Sequence, residues 1–96
     1  MSQSSDTKLI LQSRELLEVL AANEHERWAH WQRYLHEQCV PAGDGSLMIP
    51  ADLVGRWTVQ MNTPYAELSE KEKESDREQV RGVLALIDRA IANDHA

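Results

Sequence analysis

Lys73 and Asp76 fall where an ordinary amphipathic helix would place leucine, and with Arg77 beside them they are the first residues to ask for chemistry. They lie in the charged stretch TPYAELSEKEKESDRE, Thr63 to Glu78. Counted back from Val80 at about 100° per residue, Asp76 is offset by about 40°, and Lys73 lies about 60° from Asp76. A carboxylate and two cations on one buried edge need partners, because an unpaired buried charge is costly. Two arrangements supply them. One is an ion-pair network tying the last helix to the first. The other is a partly open pocket in which one cation meets an anionic ligand, and the planar fork of Arg77 matches phosphate. Glu70, Glu74, Glu78 and Arg81 sit further round and suit solvation and pairing along the helix.

Imidazole and aromatic groups form a second set. His25 and Trp28 are three residues apart and share roughly one helical face. Set against Tyr65, Lys73 and Asp76, they would offer a fixed donor and a surface on which a base stacks. The plainer alternative makes Trp28 and Tyr65 core residues and His25 a helix–helix hydrogen bond. No metal site is expected. In HERWAH the two histidines are five apart, about 140° around a helix, and miss the His-Glu-x-x-His spacing by one residue. Cys39, the only cysteine, has no partner for a disulfide and reads as a half-buried thiol. The chain has no glycine-rich phosphate loop and no nucleophile elbow.

These residues must be positioned by a small domain. With 96 residues, 42% of them hydrophobic and 27% charged, the chain is globular in composition but short of core, and it has no Phe. A net charge of −6 and a pI near 5.1 argue against a nucleic-acid polymer as partner. The sequence shows no signal peptide and no membrane span, so a cytoplasmic protein with a reduced thiol is expected.

The pattern predicts a mainly α, three-helix domain over residues 7–96, preceded by a disordered N-terminus at 1–6. Leu9, Leu16, Leu20, Trp28, Trp31 and Leu35 recur at helical spacing, and no Gly or Pro interrupts Thr7 to Val40. One long helix is therefore expected there, softest at Asn23. Pro41, Gly43 and Asp44-Gly45 end it and allow at most a short hairpin around residues 40–49. Pro50 opens a middle helix from Ala51 to Met61, and Thr63-Pro64 closes it. Its apolar face is Leu53, Trp57 and Met61. Ser69 and Glu72 form a capping box that starts a last helix running to about Asn93. Val80, Val83, Leu84, Ile87 and Ile91 give that helix its apolar stripe.

Two segments resemble the ryanodine-receptor repeat family. LAANEHERWA, Leu20 to Ala29, is similar to Leu-Ala-x-Asn-x-His-x-x-Trp-Ala, and PYAELSEKEKESDRE is similar to Pro-Tyr-x-x-Leu-x-x-x-Glu-Lys-x-x-Asp-Arg-x. The matching residues are Leu20, Ala21, Asn23, His25, Trp28 and Ala29, then Pro64, Tyr65, Leu68, Glu72, Lys73, Asp76, Arg77 and Glu78. Where the family carries Gly-Trp-x-Tyr-Gly, this chain reads WQRYLHEQC and continues into a longer insert; Trp57 is the candidate substitute aromatic. The resemblance implies a small helical domain whose two motifs meet, as in small bacterial or phage members of the family, and it implies binding of adenine-nucleotide or related signals.

The expected function is a non-catalytic binding module for a small nucleotide-derived ligand, held by His25, Trp28, Trp57, Tyr65, Lys73, Asp76 and Arg77. It would need no cofactor and no metal, and could sequester an immune or second-messenger signal. The alternative is a structural or protein-interaction module that oligomerises, most simply as a dimer, through its long first helix and takes no small ligand. An enzyme using His25 and Asp76 as an acid–base pair is a third and weaker reading.

Overall fold

The computed structural model describes residues 3–94. The chain is mainly α-helical. Helix α1 spans Gln3–Leu11, α2 Arg14–Gln38, α3 Ala51–Met61 and α4 Glu70–Asp94. Between α2 and α3 stand two two-residue strands, β1 Val40–Pro41 and β2 Leu47–Met48. A single 3-10 turn, Tyr65–Glu67, leads into α4.

The first helical region differs from the single helix expected. It breaks at Gln12–Ser13, not at Asn23. Ser13 is extended, and its hydroxyl accepts the Leu16 N–H at 3.2 Å, which caps α2. Helix α1 also takes in residues 3–6, expected to be disordered; Met1 and Ser2 lie outside the described residues. Helix α2 then runs unbroken through Asn23 for 25 residues, about 37 Å.

The hairpin pairs Val40 with Met48 and Pro41 with Leu47, antiparallel. Gly43 and Gly45 take φ of 90° and 92° in the turn, a region closed to most side chains. The Asp44 carboxylate accepts the Ser46 N–H at 2.9 Å and the Ser46 hydroxyl. Those bonds hold its pKa below the ordinary carboxylate value, the hydroxyl contributing most. The capping box forms as the spacing predicts: Ser69 Oγ accepts the Glu72 N–H at 3.2 Å, and the Glu72 carboxylate accepts from the Ser69 N–H at 3.3 Å.

Helices α2 and α4 run antiparallel. Ser13 to Val19 face Leu86 to Asn93, while Arg27 to Leu35 face Ser75 to Val80. The inward side of α4 is rotated from the expected stripe. Gln79, Val83, Leu86, Ile87, Ala90 and Ile91 are half-buried, so three of the five expected residues turn inward, whereas Val80 and Leu84 are exposed. Only Ile10, Leu16 and Leu53 are buried among the described hydrophobic residues. The molecule is long and thin, 61 × 34 × 17 Å.

Candidate functional site

Where the second half of α2 passes the start of α4, α2, α3 and α4 enclose an open groove of about 500 Å3. Helix α2 contributes Arg27, Trp31, Tyr34 and Leu35, α3 contributes Trp57 and Gln60, and α4 contributes Ser75, Asp76, Gln79 and Val80. Its wall is an aromatic run. The Trp31 and Tyr34 rings meet edge to face, 5.9 Å apart and inclined by 88°. Tyr34 and Trp57 follow at 6.5 Å and 55°. Both separations fall in the attractive range for aromatic pairs. The second contact joins α2 to α3.

Helical geometry explains which α2 residues reach this groove. Relative to half-buried Leu20, Trp31 and Arg27 each lie about 20° away and Tyr34 about 40°. Trp28 lies about 80° away and His25 about 140°. Trp28 is accordingly 58% exposed, and His25 stacks on it with ring centres 6.1 Å apart. The pair stands outside the groove. No hydrogen bond or ion pair joins His25 to Asp76 among the described residues.

Tyr65, Lys73 and Arg77 form a separate cluster. The 3-10 turn after Pro64 brings the Tyr65 ring to 5.9 Å from Lys73 Nζ, a cation–π contact. The Lys73 side chain is only 18% exposed, as its inward position predicts, and its ammonium lies 3.7 Å from Glu70. Arg77 donates to Glu74 at 3.2 Å and to Glu70 at 3.3 Å. These bonds raise its pKa, Glu74 contributing most. The ladder continues outward: Arg81 donates to Glu74 at 2.6 Å and to Glu78 at 2.8 Å. Neither Lys73 nor Arg77 lines the groove.

The charges at this edge are therefore divided differently from either expectation. Both cations have carboxylate partners, and Asp76 has none among the described residues. The unengaged charge is an anion, exposed on the lining of the groove that the aromatic rings wall. Arg27 is the cation that lines the groove, and it forms a two-bonded pair with Glu24, 3.1 Å at Nε. That pair raises the Arg27 pKa, chiefly through the hydrogen bond.

Of the residues singled out by sequence, Trp57 and Asp76 line the groove; His25, Trp28, Tyr65, Lys73 and Arg77 do not. Arg27, Trp31, Tyr34, Gln60 and Gln79 were not singled out as ligand contacts. The signal for the first three was present, since they share the Leu20 face of α2. Among the described residues, no three His, Cys, Asp or Glu side chains gather closely enough to hold a metal ion. No helix among them is long and apolar enough to cross a membrane.

The groove suits a flat, polar heterocycle. Inclined rings offer π-faces and edges to a base. The Asp76 carboxylate can only accept hydrogen bonds, and the amides of Gln60 and Gln79 can each donate and accept. Searches with this chain against known protein families, curated proteins and solved structures find no match.

Proposed function

We propose that this chain is a non-catalytic binding module for a small nucleotide-derived ligand, and that the base sits in the groove walled by Trp31, Tyr34 and Trp57. The observation that carries the reading is the unengaged Asp76 carboxylate beside three mutually inclined rings in a groove of about 500 Å3. That volume is within the usual range of small-ligand sites, about 300–1,000 Å3. Arg27 stands on the wall to neutralise phosphate, at the cost of part of its bond to Glu24.

In this reading the site is displaced from the one expected. Trp57 and Asp76 remain in it, and Trp31 and Tyr34 replace Trp28 and Tyr65. Lys73 and Arg77 pair with Glu70 and Glu74 along α4 itself. The use proposed is sequestration: a bound second messenger is withheld from its receptor and recovered chemically intact.

Calorimetric titration with adenosine monophosphate, a cyclic nucleotide and ADP-ribose tests the proposal. At least one should bind, with the affinity reduced tenfold or more by Trp57→Ala and by Asp76→Asn, and left unchanged by His25→Ala. No binding heat at near-millimolar ligand, or binding indifferent to both groove variants, rejects it. Ligand recovered hydrolysed after long incubation with protein would reject the non-catalytic part alone.

A further inference from the structure

The groove does not account for the surface at the opposite end of the molecule. There α1, the start of α2 and the end of α4 diverge around a cleft of about 740 Å3. Leu9, Ile10, Leu16, Val19, Leu86 and Ala90 line it. Leu9 is 64% exposed and Val19 45%, so the cleft is apolar and open. Its rim carries both signs, Asp6 and Glu15 against Arg89. None of these three is in an ion pair among the described residues.

The size of the molecule points to what covers this cleft. The radius of gyration is 18.8 Å, where a compact domain of this length has about 12 Å. The accessible surface is 7692 Å2, where a folded monomer of this length exposes about 5,600 Å2. The excess is about 2,000 Å2 per chain. A standard interface takes about 800 Å2 from each partner, and obligate dimers bury about 2,000–5,000 Å2 in total. Two copies each covering their excess fall inside the obligate range. A core of Ile10, Leu16 and Leu53 is also too small to offset the entropy of ordering the helices.

We infer that a second copy of this chain docks into the cleft between α1, the start of α2 and the end of α4, and that folding and dimerisation are one transition. A two-fold interface must be self-complementary, each patch meeting its own image. The lining has the composition that such an interface needs: Arg89 is opposite in sign to Asp6 and Glu15 of the other copy, and Leu9 and Val19 supply an apolar centre.

The test is sedimentation equilibrium of the full chain together with thermal melts over about a hundredfold range of protein concentration. A dimer mass is expected, with the midpoint rising by about 5 °C or more across the range. Leu9→Glu and Val19→Glu should weaken the dimer tenfold or more, and Met61→Glu, outside the cleft, should not. A monomer mass at the highest concentration with a constant midpoint overturns the inference. So does a dimer that both cleft variants leave as tight as before, because it would use another face. If the cleft variants do not fold, hydrogen exchange of the unaltered dimer decides: slower exchange at residues 9–19 than at α3 supports the cleft, and equal or faster exchange there overturns it.

Discussion

Asp76 lines the aromatic groove without a hydrogen-bonding partner, while Lys73 and Arg77 beside it are both paired. An exposed carboxylate with no partner contributes little to stability, so Asp76→Asn should shift unfolding by less than about 0.5 kcal/mol. If it accepts from a ligand amino group, the same change should cost tenfold or more in affinity. Equilibrium urea unfolding and calorimetry on one variant separate the two effects. Trp57→Ala is the complementary case. It removes a half-buried ring that joins α3 to Tyr34, so a stability loss of about 1–3 kcal/mol should accompany the loss of binding. The acid response is read at Glu74. Its pKa is held below the ordinary carboxylate value, by the Arg81 hydrogen bond first and the Arg77 bond second. A carboxylate lowered on folding adds stability that is complete above its ordinary value and lost as pH falls through the lowered one. Glu74→Gln should therefore be less stable than the unaltered chain at neutral pH in low salt. That difference should vanish in acid, and also in high salt, because Glu74 is exposed and screened. Denaturation midpoints from pH 2 to pH 7 check this sign, over a range of about the usual carboxylate titration.

Among the elements, those with punctuation at both ends were legible from sequence. Pro50 and Thr63-Pro64 bracket α3, and its observed bounds, Ala51–Met61, are those expected. Ser69 and Glu72 mark the start of α4, and the hairpin follows from Asp44-Gly45. The break before α2 was not legible, for a physical reason. Ser13 caps through Leu16 N–H alone, and position 16 carries no Glu or Gln to complete a capping box. A lone serine in a helical pattern does not announce a boundary. Ser13→Ala should cost about 1 kcal/mol, and Ser69→Ala a similar amount, by urea unfolding. Helix α1 has nine residues and cannot hold its shape alone. Its amides should exchange with solvent faster than those of central α2 at low protein concentration, and gain protection as concentration rises. Hydrogen exchange followed by mass spectrometry reads this directly.

For the whole molecule, the division between local and tertiary information is clear at the candidate site. Helical character, the turn at Asp44-Gly45, the capping box and the inward position of Lys73 were all determined by sequence alone, because each depends on residues within a few positions of one another. Which aromatic residues meet was not. Trp28 and Trp31 each fit a helical stripe with Leu35, and only the antiparallel seating of α2 on α4, with Trp57 of α3 against Tyr34, turned Trp31 into the groove and left Trp28 on His25. Partner choice among the charges, by contrast, was local, because every carboxylate that Lys73, Arg77 and Arg81 meet lies on α4 itself. Arg77 reaches Glu70 and Glu74 along its own helix, which leaves Asp76 on the side that α2 and α3 approach. The sequence by itself determined the helices and their charges. The packing of three helices decided that the unengaged charge near the rings is an anion, because rotating a helix by a few tens of degrees costs no local hydrogen bond and is settled only by the neighbours it meets.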